Sequence, residues 1–161
     1  LFILFTSIIY SQTNDIHNKV VVLNPNYVDA IDLKGCIDLP LEFLEDYIKL
    51  NHPSEFVKLD YKKLQKNNVE SLYIYNKKYC KPIGKVLDAN LFVMTNIKMV
   101  SMNSSYCADI TYNIEMKAYS MFSNKEIILL NLNDVTIEAF QKEVELKLES
   151  YFQKIISLNQ Q

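Results

Sequence analysis

The 161-residue chain has no tryptophan, only two glycines and no arginine: all seventeen of its basic residues are lysine. Each shortage excludes something. The P-loop and the dinucleotide fingerprint need clustered glycines, and Gly35 and Gly84 stand far apart, so neither loop is present. Arginine supplies the planar fork that reads guanine edges and phosphates through paired hydrogen bonds. A lysine-only chain with a formal charge of −2 is therefore not expected to bind nucleic acid. The same near-neutral total predicts no strong field to steer a charged partner. With glycine so scarce, the tight turns have to be built from asparagine.

Reactive side chains are few as well. The chain has three cysteines and two histidines. Cys36, Cys80 and Cys107 lack the close pairing or histidine partners of a zinc site, so no metal or other cofactor is implied. In an oxidising compartment the three can form one disulfide and leave one free thiol, with three pairings open. The alternative is three thiols packed as small apolar groups. His17 lies in a polar stretch and His52 in the turn Asn51-His52-Pro53. Neither has a neighbour in sequence that would orient it as a base.

What the chain does have is apolar substance. Hydrophobic residues make up 49% and charged ones 22%, which fits one folded domain with its own core. Leu1 to Tyr10 reads LFILFTSIIY, without charge, and turns sharply polar after Ser11. The run is too short to span a bilayer. It matches the apolar core of an export signal, with cleavage expected between Ser11 and Gln12. On this reading residues 1–11 are a signal remnant and 12–161 one secreted or periplasmic domain with no stable transmembrane segment. An amino-terminal core element or part of a longer anchor is the alternative.

The pattern of apolar positions predicts the elements. Residues 18–23, NKVVVL, read as a strand buried on both faces, ended by Asn24-Pro25-Asn26. A polar connection over 26–38 follows. A helix is expected over about 40–50, then a short strand at 56–59 and a short helix at 61–66 capped by Asp60 and closed by Asn67-Asn68. Residues 71–76 read as a strand, and Lys77, Lys78, Lys81 and Pro82 as a basic loop. A long strand is expected over 91–102, then a turn at 103–105. Strict alternation from Ala108 to Ala118 puts Ile110, Tyr112, Ile114 and Met116 on one face. A hairpin at Ser123-Asn124 leads to a strand over 126–132. A last helix over about 135–157, capped by Asp134, carries Ile137, Phe140, Val144, Leu148, Tyr151 and Ile155 at helical spacing. Leu146, Phe152 and Ile156 widen that stripe. The fold expected is a two-layer α+β domain, with a mainly antiparallel sheet, a carboxyl-terminal meander and helices chiefly on one face.

Few residues suggest chemistry. Asp29, Asp32 and Asp38 follow the first strand, where ligands of parallel strands tend to sit, and carboxylates there can hold a hard cation. Their spacing matches no calcium loop. A hydrolase would have to combine Asp29 and Asp32 with His52. Asn103-Ser104-Ser105 is a formal glycosylation acceptor. Tyr73, Tyr75, Tyr79 and Tyr112 can form a stacking platform for a carbohydrate or can pack within a sheet.

The order of elements adds one comparison. KVVVLN before a helix, FVKLDYKKLQ as strand and helix, and DANLFVMTNIKMV before a meander and final helix resemble a group of envelope proteins. These are the proteins related to the curli secretion lipoprotein CsgG and the penicillin-binding-protein activator LpoB. The resemblance spans most of 18–157. The chain departs from the group at Thr95-Asn96, where glycine is usual, and in lacking the lipid-attachment cysteine. The resemblance implies a non-enzymatic binding or assembly-accessory protein of the cell envelope with a protein partner. A small hydrolase or an immunity or inhibitor domain are the other functions considered.

The export reading has a direct check. Expressed with a complete signal, the protein is expected in the periplasm or medium with a mass starting at Gln12. A soluble cytosolic product that retains Leu1 to Ser11 would overturn it.

Overall fold

A computed structural model describes residues 17–28, 39–69, 74–102 and 110–160. Their centre is β3 (Leu91–Met102), a twelve-residue strand. It pairs antiparallel with β4 (Ile110–Ser120), which pairs antiparallel with β5 (Glu126–Val135). On the other side of β3 lie two short strands, β1 (Val20–Val22) and β2 (Asn26–Val28), both parallel to it. The result is an open five-stranded mixed sheet with an antiparallel meander on one side. Four helices pack on it among the described residues: α1 (Leu39–Asn51), α2 (Tyr61–Lys66), α3 (Cys80–Leu87) and α4 (Ile137–Ser157). This is the α+β architecture expected from the sequence.

The alternation of side chains explains why both faces of the sheet are covered near β1. Val20 and Val22 join Leu91, Val93 and Ile97 on the first face, whereas Val21 and Leu23 join Phe92 and Met94 on the second. The two long helices lie on the first face. There Phe140, Val144, Tyr151, Phe152 and Ile155 of α4 meet Ile110, Tyr112, Ile114 and Met116 of β4 in one cluster with Leu41, Leu44 and Ile48 of α1. Burial of each such side chain is worth roughly 1.5–3 kcal/mol. The short α2 and α3 cover part of the second face through Leu64, Cys80, Ile83 and Leu87. Gly84 is required there, because a Cβ would stand 2.5 Å from the carbonyl oxygen of Ala89 and 2.9 Å from the ring of Phe92.

Several details depart from the sequence reading. Residues 26–28, assigned to a polar connection, are strand β2. Pro25 interrupts the pairing because it has no N–H to give, but Asn26 resumes it opposite Asn96. The expected strand at 56–59 is a single parallel bridge, Val20 to Phe56. Of the expected strand 71–76, residues 71–73 lie outside the described residues and Ile74 and Tyr75 are not strand. Lys77, Lys78 and Lys81 form no loop. Asn76 caps a 3-10 turn, Lys77–Tyr79, that runs into α3. Leu146 does not join the stripe of α4 and is 82% exposed.

Asp134 is not the cap of α4. It belongs to β5, where its carboxylate accepts a hydrogen bond from Thr111 at 2.6 Å and its backbone has a φ of 55°. Thr136 caps the helix through the N–H of Ala139. The left-handed positions among the described residues are Asn68, Asp88, Asn124 and Asp134. Asparagine and aspartate tolerate that conformation best after glycine, which agrees with the glycine-poor turns.

A buried polar knot joins the ends of these elements. The Asn90 side chain accepts from the backbone N–H of Lys19 at 3.0 Å and donates to the carbonyl of His17 at 2.7 Å. Asn159, just after α4, donates to Asn90 at 3.1 Å and to Asn18 at 2.9 Å. It accepts from the Ser120 hydroxyl at 2.6 Å.

The docking of α4 is testable. Val144 is fully buried. Val144→Asp places an unpaired carboxylate there, a cost of several kcal/mol. It is expected to abolish cooperative thermal unfolding followed by circular dichroism. Glu145→Gln, on the wet side, is expected to leave the melting curve unchanged. A folded Val144→Asp protein with normal melting would show that α4 is not part of the core.

Candidate functional site

Of the candidate site residues, His52 is placed most fully. It follows α1 and turns back against α4. Its ring stacks on Phe152, centroids 3.7 Å apart, with Tyr47 on another side at 5.8 Å. Its Nε2 is buried, lacks a hydrogen-bond partner among the described residues and faces the Glu149 carboxylate at 3.7 Å. The Tyr47 hydroxyl donates to that same carboxylate oxygen, and Gln153 donates to the other at 2.8 Å. These hydrogen bonds, Tyr47 first, hold the Glu149 carboxyl below the usual carboxylate range. The cluster therefore joins α1 to α4 through one imidazole, one phenol and one carboxylate. Asp29 and Asp32, the carboxylates expected beside His52, lie outside the described residues, as does Asp38. Glu149 was not foreseeable as the partner. It is 97 positions away in sequence from His52, and no local signal connects them.

Cys80 is the described member of the three cysteines. It is a free thiol at the base of α3, buried against Met94, with sulfur atoms 3.7 Å apart. Burial pushes the thiol up to about 12, which leaves it protonated and unreactive at neutral pH. Cys36, Cys107 and the acceptor Asn103-Ser104-Ser105 lie outside the described residues. Among those described, no group of three or more His, Cys, Asp or Glu side chains gathers as a metal ion would require.

Of the two readings of the tyrosines, a stacking platform or packing within the sheet, the described members form no platform. Tyr73 lies outside the described residues. Tyr112 is in the first-face core and fully buried. The faces of two others are occupied by lysine: Lys117 sits 4.1 Å over the ring of Tyr75, and Lys78 sits 4.6 Å over Tyr79. Tyr75 in turn donates its hydroxyl to Glu115, while Lys117 pairs with Glu126 at 3.1 Å. This ladder closes the edge of the covered part of the second face. Beyond it, no described helix covers the face. Lys98 and Asn113 stand exposed on opposed positions of β3 and β4. Val100, Ile128 and Asn131 are exposed on the same meander. Asn26, Asn96, Glu115 and Asn131 form a polar row across four strands, with Asn26 bonded to Asn96 at 2.6 Å.

No protein-family model matches the chain, and no curated protein matches it. Among solved structures it is similar to the hypothetical protein CT253 from Chlamydia trachomatis. The two share 8% identity with a TM-score of 0.41, over 83% of this chain and 97% of that one. Among the described residues no helix is long and apolar enough to cross a membrane.

The buried phenols give this region a signature. Burial raises Tyr112, Tyr119 and Tyr75, the last further through its bond to Glu115, and pushes Tyr151 up to about 12. A phenol held protonated in the fold gives stability that is complete below the unfolded value near pH 10 and lost as pH rises towards the folded one. Phenolate absorbance of the native protein is therefore expected to lag behind that of the urea-unfolded chain between about pH 10 and 12. Urea should lose midpoint over the same window. Coincident native and unfolded titration curves would contradict the burial of these rings.

Proposed function

We propose that this chain is a binding or assembly-accessory protein of the cell envelope, exported and acting by surface contact without catalysis. The observation that carries the proposal is the part of the second sheet face that the described helices leave exposed. The meander presents Lys98, Val100, Asn113, Ile128 and Asn131 to solvent on adjoining strands. Such a mixture of polar and apolar groups on a fixed frame suits a protein partner better than a small substrate, which calls for a concave pocket. Of the described groups capable of acid–base work, Lys117 is held between Tyr75 and Glu126 and Cys80 lies in the core, while the His52 ring is stacked on Phe152 between α1 and α4. The resemblance in element order to the CsgG and LpoB group points the same way.

The test combines location with contact. The protein is expressed in its native cells with a photo-crosslinking residue at Asn131 or at Lys142 on the outer side of α4. Recovery in the envelope fraction, with a defined protein adduct from position 131 and none from 142, is expected. Recovery in the cytosol, or adducts equally from both positions, would overturn the proposal.

A further inference from the structure

The lysines are distributed unevenly. Between Val57 and Asn90 the sequence carries eight lysines against Asp60, Glu70 and Asp88. The net charge of the whole chain conceals this. The structure concentrates seven of the eight on the two short helices of the second face and their connection. Lys62, Lys63 and Lys66 are exposed on α2. Lys77 and Lys78 on the 3-10 turn, and Lys81 and Lys85 on α3, are exposed as well.

Their spacing aligns them. The ammonium of Lys77 stands 5.9 Å over the ring of Tyr119, but Lys81 and Lys85, four residues apart, keep to one outward side of α3. Lys62 and Lys66 do the same on α2. Leu64 of α2 and Cys80, Ile83 and Leu87 of α3 are the buried side chains and share one cluster on the sheet. The lysine rows therefore occupy the outward sides of two helices in contact with each other. The ion pairs among the described residues involve His52, Lys117, Lys142 and Lys147, and none of these seven lysines. Across the sheet the balance reverses, for α1 carries Glu42, Glu45 and Asp46 against Lys49. The described residues are thus polarised between the two faces, and a surface of negative charge would meet them in one orientation.

We propose that the outward face of α2 and α3 docks on an anionic lipid surface. The composition decides between this and nucleic acid. Lysine is a compact, mobile point charge on a flexible stem, without the fork that fits fixed phosphates and guanine edges. Mobile headgroups accept such charges without a set geometry, and clustered lysines are attracted to anionic leaflets cumulatively. Tyr61, at the start of α2 and 39% exposed, adds an amphipathic ring of the kind that settles at headgroup level. The contact is peripheral, because the apolar sides of both helices are already committed to the core. This inference goes beyond the accessory reading and concerns which face meets which chemistry.

The test uses the full chain and co-sedimentation with two kinds of vesicle, phosphatidylcholine alone and phosphatidylcholine with about one third phosphatidylglycerol. Binding to the anionic vesicles is expected to exceed binding to the neutral ones and to fall steeply between about 0.05 and 0.5 M salt. Each lysine near such a surface strengthens binding about fivefold, so Lys62→Gln/Lys66→Gln/Lys81→Gln/Lys85→Gln together should weaken it about six-hundredfold. The four Lys→Arg replacements at the same positions should retain binding, which separates charge from any effect on folding. Replacing Lys49, Lys142, Lys147 and Lys154 by Gln should cost less than about tenfold. Equal binding to both vesicles, undiminished binding by the Gln variant at 62, 66, 81 and 85, or loss in the Arg variant would each overturn the proposal. Tighter binding to a DNA duplex than to the anionic vesicles at matched salt would also overturn it and assign the face to nucleic acid.

Discussion

One buried amide holds the ends of this fold together. Asn90 stands where α3 gives way to β3, and 8% of its surface is exposed. Its side chain satisfies the backbone on either side of Asn18, and its own backbone pairs with Lys19 and Met121. Asn159 completes the arrangement by binding Asn90, Asn18 and Ser120 together. Ser120 in turn accepts the N–H groups of Phe122 and Ser123, which set the β4–β5 turn. Each unmatched buried donor or acceptor would cost about 1–3 kcal/mol, so the network is worth having only when complete. It sets the start of β1, the start of β3, the end of β4 and the end of α4 with respect to one another. The hydrophobic layers supply most of the stabilisation, but they are non-directional, whereas this set of bonds accepts one register.

The sheet that this knot positions has two different faces. The first is closed by long helices whose apolar stripes extend over most of the meander. Among the described residues the second is closed by short helices over β1 and the adjoining ends of β3 and β4, and left exposed beyond. That inequality separates the molecule into a core-facing side, a lysine-bearing cover and an open strip of strand surface. The edge of the sheet at β5 is treated differently again. Between Val135 and Leu132 the chain advances three residues while β4 advances two, and between Leu130 and Ile128 two against one. Both extra residues are on β5. Bulges of this kind twist an edge away from further pairing, which protects a ten-residue strand that would otherwise invite addition.

Much of this was legible in the sequence because periodicity reports burial. β3 is bounded as expected at Leu91 and Met102, and the alternation in β4 names its core side correctly. Asp60 caps α2, and asparagines take left-handed turns, because those effects act within a few residues. What could not be read depends on distance or on averaging. Asp134 looked like a cap until Thr111, 23 positions earlier, took its carboxylate. Leu146 matched the wider stripe of α4, but a helix has only one sheet to face. Lys77, Lys78 and Lys81 with Pro82 read as a loop, but Pro82 lies in the first turn of α3, where a proline has no helical N–H bond to lose. The polarity between the two faces was present in the composition of residues 57–90, but a single net charge cancels it. The partner of His52 was beyond any local reading.

The parallel placement of β1 beside β3 has a consequence for the order of events on the ribosome. Val20 must wait for Leu91, 71 positions later, and Asn18 must wait for Asn159, which follows nearly the whole domain. Contacts with such separation form late and slowly, because the intervening chain has to be gathered first. β1, the first described strand, is thus among the last to find its place.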